Sequence, residues 1–193
     1  MRSHSWPVLF CLPILAVGAE YTIDTAHSGA HFTVRHMMVS NVRGEFGKVS
    51  GKVVWDPSNP GASRVEAVID ANSINTREPK RDAHLKSADF FDTAKFPTIT
   101  FKSKKVWNEG GRLKVAGDLT IRGVTREVVL DVEGPTPEIK DMRGGFRAGA
   151  TATTKLNRKD FGLTWNRAIE TGGVVVGDEV AVTIDVALVR PGS

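Results

Sequence analysis

Only one cysteine, Cys11, occurs in the 193 residues, and it sits in the first apolar stretch of the chain. Everything after it lacks a thiol that could close a disulfide, attack a substrate or hold zinc. No run of five lysines or arginines occurs, and the aromatic residues are not spaced as a base-stacking platform, so a nucleic-acid partner is not expected. Gly-x-Ser-x-Gly, the elbow that presents a nucleophilic serine, is missing, and Gly144-Gly145 and Gly172-Gly173 lack a phosphate-loop pattern. No apolar run approaches the ~20 residues that a membrane-spanning helix needs.

The longest apolar stretch runs from about Trp6 to Val17, behind Arg2 and ahead of the small residues Gly18 and Ala19. That pattern reads as a signal peptide over residues 1–19, cleaved between Ala19 and Glu20. The expectation is an exported protein, periplasmic or secreted. Removing Arg2 lowers the formal net charge from +4 to +3, a mild basicity that permits transient contact with anionic lipid headgroups. Residues 20–193 are then the size of one domain, large enough to bury a core without staples.

The mature chain reads as strand after strand, from the period-two alternation of apolar residues. Ala30, Phe32, Val34 and His36 share one face of the first. A second strand runs from about Gly44 to Trp55 and stops at Asp56-Pro57-Ser58-Asn59-Pro60-Gly61, a loop by composition. Val65, Ala67 and Ile69 mark a third, Ile99 and Phe101 a fourth that runs to about Val106. Leu113, Val115, Gly117, Leu119 and Ile121 mark a fifth, and residues 126–132 a sixth. Phe146, Ala148, Ala150 and Ala152 line a seventh, and Val180, Val182, Ile184, Val186 and Leu188 an eighth. Eight strands joined mostly by short turns predict an all-β, eight-stranded antiparallel barrel, wide enough to hold one small ligand or to be filled by side chains. The small residues Gly117, Ala148, Ala150 and Ala152 on presumed inner faces leave space, unless neighbouring aromatics fill it.

One stretch interrupts the strands. Between Ile69 and Ile99 lies an insert in which Pro79 opens a short helix, at about 79–88, followed by Phe90, Phe91 and Phe96. Three phenylalanines in a connection need an apolar destination, and long connections in small β proteins are commonly lids or binding loops. The insert is therefore expected to form the mouth of a pocket and to gate it.

Several motifs together resemble the YceI-like family of exported, lipocalin-like polyisoprenoid-binding proteins. They are Asp24-Thr25-Ala26-His27-Ser28 with Phe32, Val34 and His36; Ser73-Ile74-Asn75-Thr76, Arg81-Asp82, His84-Leu85, Asp89-Phe90-Phe91-Asp92 and Phe96-Pro97 in the insert; residues 117–125; Asp160-Phe161-Gly162-Leu163; and Val176-Gly177-Asp178-Glu179-Val180. The resemblance covers about Tyr21 to Val189. It implies a lipocalin-like barrel with a helical segment near its opening and a hydrophobic tunnel for a lipid chain.

Candidate ligand-binding residues are Phe32, Val34, His36, Phe46, Ile74, Leu85, Phe90, Phe91, Phe96, Ile99, Phe101, Leu119, Ile121, Leu163 and Trp165. Arg77, Arg81 and His84 are candidates for a phosphate or carbonyl head group, or else hold the insert by pairing with Glu78, Asp82 or Asp89. No catalytic, metal or cofactor site is expected: His27 and His31 share a strand parity that His36 does not. The expected cargo is a long-chain isoprenoid, quinone-like or fatty amide molecule, and a second copy of the chain is a candidate further partner. Two rival readings stay open, a ligand-free interaction or stress module serving a membrane redox system, and an enzyme acting on a bound lipid.

Overall fold

The computed structural model describes residues 18–170 and 172–192. Residues 1–17, which hold most of the expected leader, lie outside the described residues. Twelve strands form the sheet: β1 (Ala19–Ile23), β2 (Gly29–His36), β3 (Ser40–Phe46), β4 (Val49–Trp55), β5 (Arg64–Asp70), β6 (Ile74–Asn75), β7 (Thr98–Glu109), β8 (Arg112–Ile121), β9 (Val124–Glu133), β10 (Ile139–Lys140), β11 (Phe146–Asn157) and β12 (Val176–Arg190). The helix is α1 (Pro79–Lys86).

Three pairs of these strands are single lengths of chain broken by a kink. A 3-10 turn at Thr25–His27 separates β1 from β2, and another at Ala71–Ser73 separates β5 from β6. Gly47 and Lys48 separate β3 from β4. Each kink keeps the neighbours aligned, because β1 pairs with β4 while β2 pairs with β3, and β5 pairs with β4 while β6 pairs with β3. Counted this way, and with the two-residue β10 set aside because it pairs only with β11, eight lengths follow one another around a closed antiparallel ring, and β12 returns to pair with β1 and β2. The expected barrel of eight antiparallel strands with one short helix is the observed fold. Closure leaves most strands without a free edge. The weakest wall is between β9 and β11, which meet over three residue pairs, Glu133–Thr151 to Asp131–Thr153.

The connections divide unequally between the two ends. One end carries the β2–β3 turn, the long insert between β6 and β7, the tight β8–β9 turn and the segment 158–175. The opposite end carries the loop 56–63, the Gly110-Gly111 turn, the 134–145 connection and the start of β1. α1 begins as the sequence suggests: Pro79 occupies the first turn, and the Glu78 carboxylate accepts from the Lys80 N–H at 3.1 Å.

Alternation along the strands sorts the side chains. Val65, Ala67 and Ile69 point into the barrel while Val68 is exposed. Inner residues from β1, β2, β4 and β12 join Phe46 and Ile74 in the main core. Gly117 does not leave open room, because the Phe101 ring occupies the place a side chain there would need, 2.6 Å from where a Cβ would lie. Ala150 and Ala152 do border open space.

A candidate lipid-binding tunnel

The inner faces of the barrel enclose a cavity of about 260 Å³ whose walls are almost wholly apolar. An apolar cavity of ~150 Å³ already stays dry and takes up benzene. This one runs lengthwise: Leu113 and Ile121 of β8 both line it, eight residues and thus ~27 Å apart along the strand. Trp55 and Pro135 border it near one end, and Phe90, Phe161 and Leu163 border it near the other.

Of the residues proposed from sequence, Phe32, Val34, Phe46, Leu85, Phe90, Phe91, Ile99, Phe101, Leu119, Ile121 and Leu163 line the cavity. Phe91 stands edge-on to Phe46, ring centres 5.5 Å apart, so the insert does reach the barrel interior. Four others lie elsewhere. His36 ends β2 at the rim of the barrel, half-buried and in regular register with Ser40 of β3, and is not among the residues that line the cavity. Ile74 is buried, but in the core, paired in register with Phe46. Phe96 packs on the Gly123 turn, and Trp165 covers Phe90 from outside the cavity with centroids 5.3 Å apart.

The polar candidates hold the insert together. Arg81 donates from Nε to the Thr76 hydroxyl at 2.8 Å and from Nη2 to its carbonyl at 2.9 Å. Thr76 in turn donates to Asp82 through N–H and hydroxyl, at 2.8 and 2.6 Å. His84 bonds Asp89 at 2.9 Å and stands edge-on to both Phe90 and Trp165, 5.0 and 4.8 Å between centroids. Arg77 is exposed, in the left-handed region at φ 63°. Arg81 and His84 therefore make bonds within the insert rather than facing the cavity.

Two arginines that the strand pattern gives no reason to single out organise this end. Arg158 is buried beside the cavity, and all five of its N–H donors are engaged. Nε donates to Gly177 O at 2.8 Å; Nη1 donates to the carbonyls of Leu163 and of Trp165, the latter at 2.9 Å; Nη2 donates to Val176 O and Asp178 at 3.3 and 3.2 Å. Burial lowers its pKa from the usual arginine value, with the Asp178 charge opposing. Arg122 donates to Gly162 O and Ala88 O, both at 2.6 Å, and so ties the segment after β11 to the insert. The result is a cap in which Phe90, Phe161, Leu163, His84 and Trp165 close one end of the tunnel.

The opposite end carries a network of charged groups. Glu138 accepts from Tyr21 at 2.6 Å and from Arg190 at 2.6 and 2.8 Å, and Arg190 foremost lowers its pKa from 4.5 to about 2. Asp24 accepts from Arg147 at 2.9 Å and bonds His27 at 2.8 Å, which lowers its pKa from 3.8 to about 2.

Comparison with known proteins agrees with this geometry. Residues 21–188 match the YceI-like domain. UPF0312 protein SA2479 of Staphylococcus aureus is 41% identical over 161 residues, 83% of this chain and 92% of that protein. The crystal structure of Burkholderia cenocepacia BcnA superposes with a TM-score of 0.72 at 23% identity, covering 86% of this chain and 98% of that one. A polyisoprenoid binding domain from Saccharophagus degradans, implicated in plant cell wall breakdown, superposes with a TM-score of 0.63 at 18% identity, covering 89% and 98%. The domain match and the identity, over nearly the whole barrel, place this chain in the YceI-like family.

Proposed function

We propose that the protein is an exported carrier that encloses a polyisoprenoid, or a similar long apolar chain such as a quinone tail or fatty amide, without chemically changing it. The observation that carries this reading is the long cavity walled almost entirely by apolar side chains. Burial of each methylene contributes about 0.8 kcal/mol, so ten contribute ~8 kcal/mol before ordering costs, near the ~8.2 of micromolar binding. Enclosure alone reaches useful affinity. The polar groups nearest the cavity hold backbone carbonyls and one another, which suits a wall better than a reaction centre. The polyisoprenoid-binding structural neighbour supports the ligand class. The leader expected from the sequence fits this reading, since a lipid leaving or reaching a membrane through water needs a shield. A mature chain beginning at Glu20, read by intact mass, would accord with the leader.

Ala150→Trp tests the reading, because Ala150 lines the cavity beside Val186, its partner on β12, and a ring there fills it from the wall. The variant should keep its β-sheet circular dichroism yet lose added farnesol or geranylgeraniol, while the wild type retains one equivalent through gel filtration. Equal retention by a folded variant would contradict a ligand in this cavity.

A further inference from the structure

The β2–β3 turn is built from the wrong residues for a turn. Val39 N–H donates to the His36 carbonyl at 3.1 Å, and the two central residues, Met37 and Met38, have φ of 48° and 62°. Positive φ at both centres favours Asn-Gly, and methionine there carries a steric cost. The turn buries none of them in the core: Met37, Met38 and Val39 are 45, 54 and 76% exposed. Nor is the turn loose, because Met37 N–H donates to Val175 O at 2.8 Å and Met38 lies with Ile169 around Gly173. Three consecutive apolar side chains are thus held out in water on a braced tip, at the same end as the insert and the aromatic cap.

The charges around this tip are mostly positive. Arg35 bonds Met38 O and Asn41, and Arg43, Arg77, Lys80 and Arg167 are exposed on elements of this end. Among the described residues, none of these five cations makes an ion pair. The carboxylates nearby are largely engaged: Glu78 caps α1, Asp82 bonds Thr76 and Asp89 bonds His84, leaving Asp160 and Glu170 exposed. Apolar side chains ringed by unpaired cations match the headgroup layer of an anionic bilayer.

We propose that this end of the barrel docks on anionic lipid bilayers, with Met37, Met38 and Val39 entering the headgroup layer and the surrounding cations meeting lipid phosphates. The purpose rests on the carrier reading, since docking would set the cap against the bilayer; the test does not, since it reads binding to vesicles and no cargo. The opposite end also exposes Ile139 and Met142, but Lys140 and Asp141 separate them, so they serve as a control.

The experiment is co-sedimentation of the mature protein with vesicles of phosphatidylcholine alone or of equal parts phosphatidylcholine and phosphatidylglycerol. The wild type should bind only the mixed vesicles. The triple variant Met37→Asn, Met38→Gly, Val39→Ser should bind them ~10-fold more weakly, with an equal or higher melting temperature because Asn and Gly suit the turn. Ile139→Ser with Met142→Ser should bind as the wild type does. The proposal is overturned if the wild type ignores anionic vesicles, if the triple variant binds them undiminished, or if its sole effect is to dissociate a dimer in sedimentation velocity, which would make the tip a contact between copies.

Discussion

The two ends of this barrel are held by different forces. At one end His84 stands edge-on to Phe90 and Trp165, which tilt against each other, held by a loop that folds around Arg158. At the other, Glu138 and Asp24 clamp the termini to the 134–145 connection through arginine and tyrosine donors. The Trp165 ring is held over the cap by ring contacts, worth about 0.5–1.5 kcal/mol a pair, whereas Glu138 and Asp24 at the other end are each fixed by charge-assisted hydrogen bonds. On the proposed carrier reading, the Trp165 ring is the door and the charged end the floor.

The largest way to break it is Arg158→Met. Removing the guanidinium strands the carbonyls of Leu163, Trp165 and Gly177, while Val176 O keeps its bond from the Asn166 amide, at a cost of roughly 3 kcal/mol. Urea unfolding should show a correspondingly lower midpoint, and hydrogen exchange should rise in 158–178 before it rises in 134–147. Uniform exchange would mean that the two ends are not separable. Trp165→Ala sharpens the contrast more gently. It opens the cap without touching the Arg158 bonds, so a bound prenyl alcohol should dissociate ~10-fold faster, equivalent to ~1.4 kcal/mol off the barrier, with little change in melting temperature. An unchanged off-rate would move the door elsewhere, with the short β9–β11 wall the next place to look.

Acid probes the floor. The folded pKa values of Glu138 and Asp24 are depressed to about 2 from 4.5 and 3.8. Their contribution is therefore full above the unfolded values and lost as pH falls through the folded ones. Melting temperature should decline between pH 4.5 and 2, and Arg190→Met, which removes the main cause at Glu138, should flatten part of that decline. The same slope in the variant would remove Glu138 from the account. Both groups are near the surface, so this is the smallest of the three effects.

Much of the barrel was legible because a period of two reports which side faces water. Val180 through Leu188 alternate in the sequence, and their alternate side chains line the interior. The kinks were not legible: Ala19–Ile23 is too short to show a period, and its pairing with β4 and β12 is set from elsewhere in the chain. The insert announced itself through Phe90 and Phe91, whereas the cap depends on contacts between residues some 80 positions apart, such as His84 with Trp165. Arg158 looked like an ordinary strand-end cation. Its burial exists only once 162–178 folds over it, and no local pattern encodes that. His36 keeps the inward parity but stands at the last residue of β2, outside the lining of the cavity, and periodicity says which face a residue takes, not how far along the barrel the cavity reaches.

The most direct test of the central claim is native mass spectrometry of the mature protein purified from cells that make it, followed by organic extraction. The account predicts one equivalent of a long-chain isoprenoid or comparable lipid, released on unfolding and absent from Ala150→Trp. A homogeneous ligand-free mass that also refuses added isoprenoids would contradict it, and would leave the cavity as a structural feature with no cargo.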